Sequence, residues 1–274
     1  MKRNPIPYVG GKAALAPKLV SLLPAHHTYV EVFAGVAHVL FRKDRSRVEV
    51  YNDNDARLAN LFHVLRDHFD DFAARLRWTL YARSVHGAWR RIGPTGDPIE
   101  DALRTFYLLQ SSMCGDQTSS WAYSKLRKSA ATYEGSKAAI AAVAERFQGV
   151  AIDQRDFRVV LSKWDGPETC FFCDPPYYGE AGSQFWSFSE ADHADLAAVL
   201  AALEGKAMVT YYDHPEIRRL YKGWHMIEHH RRRRAAGLWG RSGHQVCELI
   251  ITNYQPPTPT SRGEEETALS TSAK

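Results

Sequence analysis

The sequence predicts an α/β protein, an open sheet whose strand–helix alternation is broken by a mostly helical insert. Three observations predict it. Short apolar runs (Thr28–Phe33, Val48–Tyr51, Thr169–Cys173 and Ala207–Tyr211) end in Gly or polar residues, and helix-spaced apolar positions follow most of them. The rhythm changes over residues 68–148, where helical segments flank a polar stretch, and βα alternation then resumes. Finally, 274 residues, 45% hydrophobic and 24% charged, suffice for one large domain or a core plus an insertion.

The elements follow in order. Tyr8-Val9-Gly10-Gly11-Lys12 reads as a glycine turn before a helix over Ala13–Leu23. Lys12 could reach a carboxylate or phosphate, but the P-loop spacing G-x-x-x-x-G-K-[ST] is absent. Strand Thr28–Phe33 closes at Ala34-Gly35, Val36–Lys43 is long enough for a short helix, and strand Val48–Tyr51 ends at Asn52-Asp53. A helical pattern covers Asp55–Asp67. Within 68–148, helical patterns over Phe72–Tyr81, Ile99–Gln110 and Ala138–Phe147 flank Ser111–Ser136. That stretch is rich in Ser, Gly, Thr, Lys and Arg, with Trp121, Tyr123 and Tyr133 interleaved, and reads as a long functional loop. Val150–Ile152 and Thr169–Cys173 resume the strands. Ser189 with Asp192 forms an acidic variant of the capping pattern, ahead of Leu196, Val199, Leu200 and Leu203 at helical spacing. After strand Ala207–Tyr211, Trp224–Glu228 and Val246–Thr252 read as a closing antiparallel pair. Gln255–Lys274, rich in Pro, Thr, Ser and Glu, reads as disordered.

Bulk properties narrow the classes. The net charge is +4; the tail from Gln255 holds two basic and three acidic residues, which leaves the body at +5. That permits a polyanionic partner without requiring one. Met1-Lys2-Arg3-Asn4-Pro5 leads into no signal-like apolar region, and no apolar run approaches membrane-spanning length. Four cysteines fit a reduced, intracellular (cytoplasmic) protein. Cys170 and Cys173 sit three apart in a strand and so face opposite sides, with no second cysteine pair to complete a site; they read as core packing.

Four constellations carry chemistry. Asp174-Pro175-Pro176-Tyr177 lies just past the carboxyl end of a core strand, the edge where open α/β sheets bind ligands. The prolines force a stiff turn and remove two N–H donors. The result is a cup with an acceptor carboxylate, an acceptor carbonyl and an aromatic face, suited to a planar group bearing an NH2, such as adenine or cytosine. The second is Glu31–Gly35 with Asp53, eighteen residues after Gly35. An acid there bonds ribose hydroxyls in a dinucleotide fold, and helix capping before Ala56 is the alternative. The third is Tyr8–Lys12. The fourth is Asp156-Phe157, an adenine contact or a helix N-cap, two roles that Asp156 can combine.

In this order the pieces resemble the D12 class of DNA adenine-N6 methyltransferases, the Dam methylase family. Tyr8–Lys12 is similar to its N-terminal motif, Glu31–Gly35 to its Phe-x-Gly cofactor motif, and Tyr51-Asn52-Asp53 to its second-strand acidic motif. Asp156-Phe157 is similar to its adenine-pocket motif and Asp174–Tyr177 to its catalytic tetrapeptide. Tyr212–Glu216 and Glu248–Tyr254 also fit, so the resemblance spans about Pro5 to Tyr254. There are two departures: Ala37 stands where the family carries a second glycine, and Thr210-Tyr211 replaces a common Ser-Asn pair.

The resemblance implies a Rossmann-like S-adenosylmethionine-dependent methyltransferase sheet over 1–67 and 149–254, with 68–148 as a target-recognition insert. It implies S-adenosylmethionine as donor, DNA as partner, and neither a metal nor a covalent enzyme intermediate. Tyr8, Gly10, Gly11, Lys12, Glu31, Phe33, Gly35, Asp53, Asp156, Phe157 and Asp174 would form the cofactor site. Asp174, Pro175, Pro176 and Tyr177 would act on a flipped-out adenine. Gln117, Ser119, Ser120, Lys125, Arg127 and Lys128 would touch DNA from the insert. The run Arg231-Arg232-Arg233-Arg234 would meet backbone phosphate or mark an exposed hairpin end. The cup recognises a planar amine and does not itself identify the polymer, so cytosine N4, RNA or an amide side chain stay open as targets. A non-catalytic binding relative stays open through Ala37.

Overall fold

A computed structural model describes residues 4–126, 128–179, 188–232 and 245–257. Arg127, Arg233, Arg234 and the tail from Thr258 lie outside the described residues, as does the side chain of Arg232. The chain runs α1 (Ala16–Ser21), β1 (Thr28–Glu31), α2 (His38–Arg42), β2 (Val48–Asn52), α3 (Ala56–Asp67), α4 (Phe69–Arg77), α5 (Arg83–Trp89), α6 (Pro98–Ser111) and α7 (Ser129–Phe147). It continues with β3 (Ala151–Asp153), α8 (Phe157–Trp164), β4 (Thr169–Cys173), α9 (Glu190–Ala202), β5 (Lys206–Tyr212), α10 (Pro215–Leu220), β6 (His225–Arg232) and β7 (Gln245–Thr252).

The strands form one seven-stranded sheet in the order β3-β2-β1-β4-β5-β7-β6. β1 to β5 are parallel, and β7 runs antiparallel between β5 and β6. The order reverses between β1 and β4, the switch point at whose strand carboxyl ends open α/β sheets form their ligand crevice. Neighbouring residues in each strand supply opposite faces. Tyr29, Phe172, Met208 and Ile250 join a cluster with α1 to α4, α6 and α7, while Val30, Phe171, Val209 and Ile251 join one with α8, α9 and α10. Helices therefore cover both faces. All five residues of β4 are buried, Cys170 and Cys173 included; burial pushes the Cys170 thiol up to about 12, so both thiols stay protonated packing groups.

The segment expected as an insert packs directly on the sheet's first face. Phe62 of α3 stacks on Phe147 of α7 at 4.3 Å and 13°, with Tyr51 of β2 against both. The structure corrects one boundary here. Ser129–Ser136 is helical, and Tyr133, expected in a functional loop, is 1% exposed. Its buried positions, Tyr133, Ser136, Ile140, Val143, Ala144 and Phe147, keep helical spacing inside a polar composition. Thr132 and Ser136 hydroxyls return bonds to the carbonyls four residues back, which makes polar residues compatible with the helix. The first helix is shorter than expected, because Lys12–Leu15 forms a turn and Pro17 occupies the first helical turn. α5 and α10 have no counterpart in the sequence reading. β6 extends beyond Glu228, so Arg231 sits in a paired strand opposite Val246, one pair before the last described pair, Arg232 and Gln245. The Ser189–Asp192 capping box forms as expected.

Candidate active site

The first wall of the crevice is the turn after β1. Gly35 has φ +52, and a Cβ there would lie 2.9 Å from the Tyr8 ring, so only glycine fits beneath that ring. The Gly35 N–H donates to Asp53 Oδ2 (2.7 Å), its carbonyl accepts the Tyr51 hydroxyl (2.9 Å), and the Asp55 N–H donates to Asp53 Oδ1 (2.8 Å). Asp55, and not Asp53, caps α3, so the helix-cap alternative for Asp53 does not hold. Asp53 is 4% exposed, and burial raises its carboxyl to about 7 against those two N–H bonds. Glu31, at the end of β1, is buried as well. Its Oε2 accepts the Tyr29 hydroxyl (2.9 Å) and the Leu40 N–H (2.7 Å), and burial lifts it to about 8. Ala37 adopts φ 57, ψ 45, the left-handed conformation that glycine takes without strain.

The N-terminal strap closes the second wall. Gln110 Nε2 of α6 donates to the Pro5 carbonyl (2.9 Å). Gly115, at φ +73, abuts the same strap, and a Cβ there would meet Pro7 C and O at 2.6 Å. Gly10 turns at φ +76 with open space around it, whereas a Cβ on Gly11 would strike the His38 ring at 2.9 Å. Lys12 is carried inward to 8% exposure.

At the end of β4 these walls meet the cup. Lys12 Nζ lies 2.6 Å from Asp174 Oδ2 and 3.4 Å from Glu248 Oε1, donates to the Gly10 carbonyl (3.1 Å), and sits 4.9 Å from the Tyr177 ring centre. Thr210 Oγ1 donates to Asp174 Oδ1 (2.6 Å). Burial raises the Asp174 carboxyl above the usual range even though Lys12 and the Thr210 hydroxyl pull it back. The Tyr177 hydroxyl donates to Glu248 Oε1 (2.6 Å), and Arg231 Nε donates to Glu248 Oε2 (2.9 Å). Burial would raise Glu248, but Lys12, the Tyr177 hydroxyl and Arg231 together hold it below the usual carboxylate range. Thr210 and Glu248 were absent from the sequence-derived site. Glu248 had a signal, a carboxylate heading the apolar run Leu249-Ile250-Ile251.

Phe33, Phe157 and Phe188 form an aromatic triad, with centroids 5.7, 5.7 and 5.6 Å apart. Phe188 was not anticipated. Asp156 is exposed and caps α8 through the Arg158 N–H (2.9 Å), while Arg158 bridges to Asp192 (2.6 Å) and Asp195 (2.7 Å). The N-cap role of Asp156 is thus observed.

The residues expected to meet DNA divide. Lys125 and Lys128 are exposed, and Ser120 lies on the loop surface. Ser119 instead bonds the Met113 and Asp116 carbonyls (3.1 and 2.9 Å), and Arg90 holds the Thr118 and Ser119 carbonyls (3.2 and 3.0 Å), so the turn is braced from within. Gln117 is half-buried there. Trp121 and Tyr123 stack at 6.0 Å and 16°, with the Arg83 guanidinium 4.9 and 5.4 Å from their rings. No described helix is long and apolar enough to cross a membrane.

A parallel sheet in this order, closed by an antiparallel seventh strand and with Asp174 just past the end of β4, is a Rossmann-like methyltransferase sheet. The sequence profile of the D12 class N6 adenine-specific DNA methyltransferases matches residues 8–235. The chain belongs to that family and is an adenine-specific DNA methyltransferase. Among solved structures it is similar to an rRNA methylase from Streptococcus thermophilus, at 8% identity and TM-score 0.35, over 87% of this chain and 94% of that one. It is also similar to the rRNA methyltransferase aviRa from Streptomyces viridochromogenes, at 14% identity and TM-score 0.38, over 86% and 83%. No curated protein matches the sequence.

Proposed function

We propose that the enzyme takes its methyl group from S-adenosylmethionine and places it on N6 of an adenine turned out of DNA. The observation that carries this reading is the position of Asp174. It stands at the end of β4, across the switch point from the Gly35 turn and Asp53, with Tyr177 beside it.

The crevice fits the donor. Asp53 is a buried carboxylate with two lone-pair sites in use, which leaves acceptors for ribose hydroxyls. The Phe33–Phe157–Phe188 triad offers an apolar wall to an adenine ring. Gly10 has open space for close backbone approach, and Gly35 admits the Tyr8 ring. Asp156, exposed at the cap of α8 and next in sequence to Phe157, is assigned to the donor's adenine amino group. Lys12 is committed to Asp174, Glu248 and Gly10, so we assign it to holding Asp174 in preference to the donor's carboxylate. When bound, the donor supplies a methyl carbon made electrophilic by its sulfonium.

The protein's part is positioning and charge. An adenine must leave the stack to reach the cup, at a cost of a few kcal/mol that stacking on Tyr177 partly offsets. Asp174 and the Pro175 carbonyl accept hydrogen bonds from N6, which orients its lone pair. The same carboxylate, raised by burial, is placed to take the proton that N6 sheds. We assign residues 68–148 to target recognition, with the loop between Asp116 and Leu126 and the exposed Lys125 and Lys128 facing DNA.

The test is methylation of mixed-sequence DNA, digestion to nucleosides and base-resolution mapping. N6-methyladenine in a defined context is expected. Asp174→Ala, folded by circular dichroism, should lose roughly a hundredfold or more of that incorporation. A product free of N6-methyladenine, or a fully active Asp174→Ala enzyme, would overturn the reading.

A further inference from the structure

We infer that Glu248 is a positioning residue, linking the Tyr177 ring to the partly exposed Arg231 of β6 through one carboxylate. The inference rests on the function proposed above and adds a group to it. Glu248 lies on β7 in register with Tyr212 of β5 and His229 of β6, and its side chain is 1% exposed. Three segments distant in the chain converge on it. The cup contributes the Tyr177 hydroxyl (2.6 Å), the N-terminal strap contributes Lys12 Nζ (3.4 Å), and β6 contributes Arg231 Nε (2.9 Å).

A packing role alone does not account for this arrangement. A buried carboxylate is expensive, and an apolar residue of like volume in β7 would avoid that cost. What the carboxylate adds is direction. Oε1 fixes the Tyr177 ring by its hydroxyl, and Tyr212 meets the same ring edge-on at 4.5 Å and 81°. Oε2 holds Arg231, whose guanidinium also donates to the Tyr212 hydroxyl (3.3 Å) and whose side chain is 38% exposed. Arg231 thus has a buried partner on one side and solvent on the other. A phosphate reaching Arg231 competes with Glu248 for the guanidinium, and any shift of the carboxylate reaches Tyr177 through its 2.6 Å bond. Engagement of the DNA backbone and orientation of the stacking ring are then one event.

Glu248→Gln keeps an acceptor oxygen and the shape of the side chain but removes its charge. The experiment compares the parent, Glu248→Gln, Tyr177→Phe and the double variant. It uses single-turnover methylation of a duplex containing the mapped site, fluorescence of 2-aminopurine at the target adenine, and calorimetry with S-adenosylmethionine. Expected are a roughly tenfold slower transfer in Glu248→Gln, a smaller 2-aminopurine signal and cofactor affinity within about twofold of the parent. The two substitutions should fall short of multiplying, because both cut one link. Transfer by Glu248→Gln at the parental rate, or fully multiplicative effects with Tyr177→Phe, overturns the inference. A parent enzyme that leaves adenine unmethylated counts against the proposed function instead, and the two failures are told apart by the parent alone.

Discussion

Asp174 has both oxygens engaged before any substrate arrives, Oδ2 by Lys12 and Oδ1 by Thr210. The Thr210 bond aims the carboxylate plane, so Thr210→Val, nearly isosteric, should slow methyl transfer about five- to tenfold, the worth of one hydrogen bond, with cofactor binding unchanged. Single-turnover rates check this. A second prediction concerns pH. Burial raises Glu31 to about 8 and Asp53 to about 7, from unfolded values near 4. Each binds its proton more tightly folded than unfolded. Their stabilisation is complete below the unfolded value and is lost as pH rises through about 7 for Asp53 and about 8 for Glu31. The melting temperature of the ligand-free protein should therefore climb as pH falls from about 8.5 to about 7, and Glu31→Gln should flatten that slope. A flat parental profile in that window would refute it. At this scale the sequence revealed Asp53 and Asp174 through their positions after strands. It marked Thr210 and Glu248 but not their contacts with the cup, because their partners lie 36 and 71 residues away, across strand pairings that no local pattern encodes.

Strand ends and turns were the more legible elements, because glycines, acids and apolar runs mark them directly. Gly35 illustrates this: its φ of +52 and its cover by Tyr8 give one residue two reasons to lack a side chain. Ala37 shows the converse, since a methyl-bearing residue holds the left-handed N-cap of α2 where the family carries glycine. The polar residues of α7 were less legible, because Ser and Thr in a helix look like loop until Tyr133 and Ser136 are seen buried on one face. Gly115 carries the prediction that belongs to this scale. A Cβ there meets the Pro7 backbone at 2.6 Å, with φ already at +73. Gly115→Ala should therefore destabilise the protein by about 2 kcal/mol or more and weaken S-adenosylmethionine binding, although Gly115 lies outside the crevice. Calorimetric binding together with thermal melts tests both parts, and unaltered affinity would separate this turn from the cofactor strap.

Over the whole molecule, charge and cooperativity set the behaviour. The body carries +5, and Arg231 on β6 has its guanidinium partly in solvent. Arg231→Ala should lower the slope of log affinity against log salt by about one for duplex DNA, which filter binding across salt concentrations measures. An unchanged slope would place Arg231 away from phosphate. The sheet order, by contrast, was accessible from sequence only through family resemblance; βα alternation fixes neither the position of β7 between β5 and β6 nor the switch point. The stack of Phe62 on Phe147 has a practical consequence for anyone redesigning the target site. Because α7 shares its core with α3 and β2, swapping in a foreign segment for 68–148 would tear aromatic rings out of the scaffold. Randomised libraries should therefore be confined to Ser120 and Tyr123–Leu126, which are exposed, and the helices behind them can be left as they are.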